Sequence, residues 1–419
     1  MAKAPPPPSS STSSTFPRRW VVAQTVVLLV PWLVAAVWMS TRDAARERPT
    51  PVAAGAGSSQ WQAADGAWGR LTLTPIVIAP PLEYLPTTWG RNAPPEWVFA
   101  QVTLDQVLEY LRNAGATADQ VAQLRQVART DGRNVVMRPP ADLVRALPST
   151  TRTRLYLELG RSDANYDQAF AFRFLGETAD AWFDGSLLSP QTRSLIEPLL
   201  YRDGPFLHFA DLEAIRAEIG GPGELRLLGK TLLRNATMLV QLSVPSAEDV
   251  EGLEDYWGIG GRRTDIRPLL ESLAADPGHQ IDIVHLLPAF ARDHLYRFPK
   301  LTSRDLNRPL LANCLWSSLN FFSRTPDDAY LEVEAAFDAL RSDYYVVSDD
   351  FQLGDIVVLI DERGEMFHAA VYLADGLLFT KNGTSALAPW TIMSLDDLLA
   401  YYQHRSSSPK AVFHRFRLF

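Results

Sequence analysis

The sequence predicts an α+β protein with three parts: an N-terminal transmembrane helix, a mainly α-helical middle domain, and a C-terminal domain whose first helix packs on an antiparallel sheet. Three observations lead to this prediction. Residues 20–39 carry no charge and are mostly apolar. Residues 67–295 are dominated by capped amphipathic segments, and residues 296–419 combine one apolar helical pattern with several short strand patterns between turns.

Composition narrows the function classes. A length of 419 residues predicts more than one domain. The formal net charge is −8 and no tract is strongly basic, so the sequence gives no indication of nucleic-acid binding. Cys314 is the only cysteine, which excludes an internal disulfide framework and a thiolate-rich zinc site.

The N-terminus is predicted to be an anchored tail. Residues 1–19 are rich in Pro, Ser and Thr and are expected to be disordered. The apolar run 20–39 is long enough for a helix that crosses a bilayer core. A cleaved signal peptide is the alternative, with Val34–Ala36 before the cleavage site, but its apolar core is usually shorter. Residues 40–66 are interpreted as a linker, and the bulk of the chain is expected outside the cytoplasm, in the periplasm or at the cell surface.

The middle domain, residues 67–295, is predicted to be mainly helical and to have no chemical role of its own. Leu71–Ile78 is typical of an edge strand. Thr103 is a candidate cap for a helix that ends at Gly115, and Thr117 with Gln120 forms a second capping pattern. The domain could position its neighbour or bind a protein partner.

Two features of this region resemble binding motifs only superficially. The glycines at 258, 260 and 261 follow no apolar strand, so they indicate a turn rather than a dinucleotide loop. Three histidines lie close in sequence, but their spacing matches no common ligand set: His279, His285 and His294. The sequence therefore predicts neither a metal ion nor an organic cofactor.

The first candidate for chemistry is Cys314. Asn313 is a favourable helix cap, and apolar residues recur at helical spacing at Leu315, Leu319 and Phe322. This places Cys314 in the first turn of the helix, where backbone N–H groups and the helix dipole favour a thiolate. A lowered thiol pKa is what a cysteine nucleophile requires.

A series of strands follows this helix. Gly354–Ile360 is a turn leading into an apolar strand, and Glu365–Leu373 is a second strand that carries His368 near its start. Ala374–Gly376 forms a tight connection to a third strand, Leu377–Gly383. The pattern predicts an antiparallel meander behind the helix of Cys314.

In this order of elements, residues 296–419 resemble the NlpC family of papain-like cysteine peptidases. The resemblance rests on Cys314 at a helix start, on the Gly-Asp-Ile-Val segment 354–357, and on the His-Ala-Ala-Val-Tyr-Leu segment 368–373. The cysteine is flanked differently from the family pattern, since Asn313 precedes it and Leu315 follows it. The third polar residue of the family falls on Thr380, while Asn382 shares the same face of the strand and Lys381 points the other way.

The resemblance implies a Cys–His hydrolase. Cys314 would be the nucleophile, His368 its proton acceptor, and Asn382 the residue that orients the imidazole, with Thr380 as the alternative. The implied function is a membrane-anchored enzyme that cleaves amide bonds of cell-wall peptides near a γ-linked D-glutamyl bond.

Two other functions stay open at this point. One is an acyltransferase or amidase of the same fold that acts on a different substrate. The other is a membrane-tethered scaffold that has kept the fold and lost the chemistry, which the altered surroundings of Cys314 favour slightly over the first.

Overall fold

The computed structural model describes residues 60–85, 94–299, 312–403 and 405–418. The predicted tail 1–19, the predicted span 20–39 and most of the linker 40–66 lie outside these ranges. Within them, no helix is both long and apolar enough to cross a bilayer. The fold class is corrected accordingly: the described chain is an α+β protein with several sheets, and the transmembrane helix is not part of it. An uncharged apolar run is a feature of composition and does not by itself specify a spanning helix.

Helices outnumber strands in the described part of residues 67–295, but the sequence analysis predicted only one of the strands there. This region contains strands of three separate sheets among its helices. Several of these strands are only three or four residues long, such as Trp97–Phe99 and Phe206–Phe209. A run of that length is too short to display an alternating pattern, so its apolar residues are not distinguishable from a helix face.

Short helices and strands follow one another along the described chain. The described α-helices are α1 Leu104–Ala114, α2 Ala118–Gln126, α3 Ala141–Ala146, α4 Ser149–Leu159, α5 Tyr166–Ala169, α6 Ala179–Phe183, α7 Pro190–Ile196, α8 Leu212–Ile215, α9 Pro222–Leu232, α10 Val250–Trp257, α11 Arg263–Ala275, α12 Ala289–His294, α13 Cys314–Leu319, α14 Val333–Asp343 and α15 Leu395–Tyr401. The described strands are β1 Trp61–Gln62, β2 Arg70–Ile78, β3 Trp97–Phe99, β4 Ala128–Asp131, β5 Asn134–Met137, β6 Phe172–Leu175, β7 Tyr201–Asp203, β8 Phe206–Phe209, β9 Asn235–Ser243, β10 Gln280–Asp282, β11 Tyr344–Val347, β12 Ile356–Ile360, β13 Met366–Ala374, β14 Leu377–Lys381, β15 Trp390–Ser394 and β16 Lys410–Phe416.

The strands form four sheets. Their strand orders are β1-β2-β9-β10, β3-β5-β4, β6-β8-β7 and β11-β16-β12-β13-β14-β15. The predicted strand Leu71–Ile78 is confirmed as β2, although it is not an edge strand. It pairs with β9 along its whole length and with β1 at Thr72 and Leu73 only. Pro75, which has no N–H to donate, lies beyond the short pairing with β1.

The predicted helix caps are confirmed. The Thr103 side chain accepts from the backbone N–H of Gln106 at the start of α1, and Gly115 ends that helix with φ +107°. Thr117 and Gln120 make the same reciprocal contacts at α2. These contacts form because each pair lies three residues apart, within one helical turn.

The six-stranded sheet carries helices on both of its faces. Side chains alternate between the two sides of each strand, so each strand contributes residues to both faces. The face toward α13 and α14, which we call the α13 face, includes these buried residues: Leu315, Ala336, Ile356, Val358 and Ala369. The face toward α15, which we call the α15 face, includes these: Val357, Leu359, Ala370, Leu398 and Tyr402.

One hydrophobic core joins this sheet to the first sheet of the chain. It contains residues from both: Leu71, Val240, Leu242, Val371, Phe379 and Ile392. The Thr237 hydroxyl of β9 donates to the carbonyl of Ile392 and accepts from its N–H, at 3.1 and 2.8 Å. The division of the chain at residues 295 and 296 stays a prediction, and the core extends across it.

Candidate functional site

Cys314 is the first residue of α13, and Asn313 caps this helix as predicted. The Oδ1 atom of Asn313 accepts from the backbone N–H of Trp316 at 2.8 Å. Its carbonyl oxygen accepts from the Ser317 hydroxyl at 2.7 Å. Asn313 therefore fixes the first turn of α13 and with it the position of the thiol.

Replacing Asn313 by alanine is expected to lower the free energy of unfolding by about 1 kcal/mol, because a backbone donor at the helix start loses its acceptor. Urea denaturation of the full chain measures this change. Asn313→Ser keeps an acceptor and should retain most of the stability. An alanine variant as stable as the wild type would contradict the capping role.

The thiol of Cys314 favours its protonated form in this environment. Its side chain is half-buried and packs on the α13 face, which includes Ala369. Burial raises the pKa of the thiol, while the backbone N–H groups of Ala369 and Leu315 and the charge of Lys381 act in the opposite direction. Burial is the largest of these effects, so the pKa stays above its ordinary value. A short helix start alone does not produce a thiolate in this chain.

His368 lies on β13 and both of its ring nitrogens have hydrogen-bond partners. Nε2 is 2.9 Å from the Thr380 hydroxyl, and Nδ1 is 2.9 Å from the Tyr402 hydroxyl. The Thr380 hydroxyl donates its own hydrogen to Oδ1 of Asn382 at 3.0 Å. This network assigns the proton of the imidazole to Nε2, which donates to Thr380, and makes Nδ1 the acceptor from Tyr402.

The imidazole is neutral at physiological pH. Burial lowers the pKa of His368 to about 3. Burial also raises the pKa of Tyr402 well above its ordinary value, so its hydroxyl keeps the hydrogen that it donates. The described arrangement therefore holds no imidazolium that could stabilise a thiolate.

The structure brings together His368, Thr380 and Asn382 on the α15 face. Thr380 makes the direct contact with the imidazole, and Asn382 acts through Thr380. The Asn382 amide also donates to the sulfur of Met393 at 3.0 Å. The hydrogen bonds run in series: Tyr402 donates to His368, His368 donates to Thr380, and Thr380 donates to Asn382. This order holds the imidazole in one tautomer.

The structure does not join Cys314 to His368 by a hydrogen bond in the part of the chain that it describes. Ala369 packs on the α13 face, so the alternation along β13 directs the neighbouring His368 to the α15 face. There its ring lies 4.4 Å from the ring of Tyr402, measured between centroids. The predicted nucleophile and its predicted proton acceptor therefore project to opposite sides of β13.

Two residues of this site were missed by sequence reasoning. Lys381 is completely buried and lies on the α13 face with Cys314. Alternation along β14 indicated its direction, but nothing in the sequence indicated that the ammonium is enclosed. Tyr402 lies 34 residues after His368, and no local pattern connects the two.

In the described ranges, no cluster of three or more His, Cys, Asp or Glu side chains could hold a metal ion. Comparison of the chain with models of protein families, with curated proteins and with solved structures found no match.

Proposed function

We propose that this protein is a cysteine hydrolase that cleaves amide bonds of cell-wall peptides, with Cys314 as its nucleophile. The observation that supports this best is the position of Cys314: the sole thiol of the chain opens a helix that packs on the sheet containing the His368 strand. The substrate class rests on the resemblance of residues 296–419 to the NlpC family.

In the proposed reaction the Cys314 sulfur gives its proton to Nδ1 of His368 and attacks the carbonyl carbon of the amide. Backbone N–H groups at the start of α13 donate to the negative oxygen that forms. The C–N bond then breaks, the amine leaves with a proton supplied through His368, and a thioester joins the acyl group to Cys314. Water attacks the thioester, releases the carboxylic acid and returns the proton to the sulfur.

This reaction requires a rearrangement around His368. Its Nδ1 lone pair is the one that would accept a proton, and the Tyr402 hydroxyl occupies it. The imidazole is neutral, so the lone pair becomes available once the hydroxyl moves away. Movement of Tyr402, which directly follows α15, would expose this lone pair. The imidazole would also have to reach Cys314 from the opposite side of β13, so the reaction requires a change at this strand as well.

A second candidate function is a binding protein that keeps this fold without catalysis. It is favoured by one observation: both ring nitrogens of His368 are engaged by Thr380 and Tyr402, while burial favours the protonated thiol of Cys314. A protein of this kind needs neither a thiolate nor a free imidazole nitrogen.

Incubation of the full chain with purified cell-wall peptides, followed by mass spectrometry, tests the hydrolase. The wild type is expected to release cleaved peptides, and Cys314→Ala is expected to release none. His368→Gln should lower the rate by about 100-fold or more, because a proton carrier is lost. His414→Gln removes another buried histidine of the same sheet and should change the rate by less than about twofold.

The outcomes separate the candidates. Peptides transferred to an added amine indicate an acyltransferase of the same mechanism. Absence of any product from the wild type, together with a Cys314 thiol that alkylates no faster than in the unfolded chain, would overturn the hydrolase and favour the binding protein.

A further inference from the structure

Lys381 is a buried cation on the side of the sheet that carries the thiol. Thr380 points to the α15 face, so the next residue of β14 points to the α13 face. The Lys381 side chain is 0 % exposed. A lysine is almost never fully buried without a partner, so its presence here calls for a physical reason.

The ammonium is held in a defined position. Its Nζ donates to the carbonyl oxygens of Gly383 and Ser385 at 2.8 and 3.0 Å. It also lies 5.4 Å from the ring centroid of Trp390, within the range of a cation–π interaction. The indole N–H of Trp390 donates to the Ser317 hydroxyl of α13 at 2.9 Å, which connects this cation to the helix of Cys314.

No carboxylate forms an ion pair with Lys381 among the residues that the structure describes. The titratable groups near it in those ranges are Cys314 on α13 and, beyond the Trp390 ring, His294 on α12. Burial lowers the pKa of His294. Its imidazole is therefore neutral at neutral pH and supplies no charge near Lys381. In the described part of the chain, the side chain that can become an anion opposite Lys381 is therefore the Cys314 thiol.

We propose that the Lys381 ammonium is the charge that favours the thiolate of Cys314, in place of the imidazolium that the sequence suggests. The inference deepens the proposed function, because it rests on Cys314 as the nucleophile. Lys381 acts through the thiol and is a positioning residue.

The charges of Lys381 and Cys314 change each other's pKa in opposite directions. Burial lowers the pKa of Lys381 to about 8, and a thiolate at Cys314 would raise it. Below about pH 8 the lysine is largely protonated and lowers the pKa of the thiol. Without this cation only burial and the backbone N–H groups remain, and ionisation of Cys314 moves to higher pH.

The rate of alkylation of Cys314 by iodoacetamide, measured from pH 6 to pH 10, tests the proposal. Cys314 is the only cysteine, so the signal is unambiguous. Lys381→Met is expected to shift the profile upward by at least one pH unit and to lower the rate at pH 7 about tenfold. Lys381→Arg keeps the charge and should stay within about threefold of the wild type.

His414→Gln serves as the matched control, because it removes a buried histidine of the same sheet that has no part in the proposed site. Its profile should remain within about twofold of the wild type. An unshifted profile for Lys381→Met, or an arginine variant that falls as far as the methionine variant, would overturn the proposal.

A second measurement does not depend on substitution of the lysine. The chain has five lysines, so the side-chain nitrogen signal of Lys381 can be resolved by NMR with labelled lysine. In Cys314→Ser the apparent pKa of Lys381 is expected to fall, because the thiolate that raises it is gone. An unchanged Lys381 titration would contradict the pairing.

Neither measurement uses a cell-wall substrate, so the two proposals fail separately. Absence of peptide cleavage with a clear Lys381-dependent profile overturns the hydrolase and leaves the pairing in place. Peptide cleavage by the wild type together with an unshifted alkylation profile for Lys381→Met overturns the pairing and leaves the hydrolase in place.

Discussion

Lowering the pH from 7 to 4 is expected to destabilise the folded protein by about 3 kcal/mol through His368 alone. Burial lowers the pKa of this imidazole to about 3 in the folded chain, whereas a histidine in an unfolded chain titrates near ~6.5. The unfolded state therefore binds a proton that the folded state does not. Stability is lost as the pH falls below about 6.5, and the loss continues to about pH 3.

Two other buried groups change stability over the same range. Burial lowers the pKa of His414 to about 4, which adds to the loss. Burial raises the pKa of Asp211 to about 6, so the folded state holds that proton more tightly and gains stability as the pH falls. The net curve mixes these effects, and a comparison of variants isolates the one from His368.

Urea denaturation of wild type and His368→Gln at pH 7 and pH 4 makes that comparison. The difference in unfolding free energy between the two pH values should be about 3 kcal/mol smaller in the variant. His279→Gln removes an exposed histidine and should leave the difference unchanged. Equal pH dependence in His368→Gln and wild type would mean that the imidazole is not held neutral in the folded state.

Replacing Asp355 by alanine is expected to lower the free energy of unfolding by about 3–5 kcal/mol. This carboxylate is 1 % exposed and accepts from Arg415 at both oxygens, each at 2.9 Å. It also accepts from the backbone N–H of Gln352 at 3.0 Å. Its removal leaves the Arg415 guanidinium, which is largely buried, without its carboxylate at the end of the β12–β16 pair.

Equilibrium unfolding of Asp355→Ala beside Asp349→Ala tests this role. Asp349 is a nearby exposed residue, and its replacement should change stability by less than about 0.5 kcal/mol. Asp355→Asn keeps one acceptor and should fall between the two. If Asp355→Ala were no less stable than Asp349→Ala, the ion pair would have no structural importance.

Asp355 also shows how a motif can carry a structural rather than a chemical signal. The Gly-Asp-Ile-Val segment contributed to the resemblance with cysteine peptidases. Gly354 has φ +95°, and a Cβ atom there would lie 2.2 Å from the Phe322 ring. Asp355 binds Arg415. In this chain both residues stabilise the turn before β12. The segment therefore matches the family motif for a structural reason rather than a catalytic one.

The strand patterns of the C-terminal part were predictable because they depend on neighbours in sequence. The hairpin Ala374–Gly376 joins β13 to β14 as expected, with Asp375 and Gly376 both at positive φ. The middle of the chain was less predictable. Except for β2 and β9, its strands are only three or four residues long and are defined by their partners, so none of these short strands carries enough residues to show its period.

By itself, the sequence determined the local geometry of the candidate site: the capped helix start at Cys314, the strand of His368, and the alternation that separates Thr380 from Lys381. Each of these follows from interactions between residues within one turn or along one strand. Only the tertiary structure decided which groups share an enclosure, and it placed Tyr402 against His368 and Lys381 on the side of Cys314. Burial of an imidazole or an ammonium depends on segments distant in sequence packing over it, and that packing sets the charge of both.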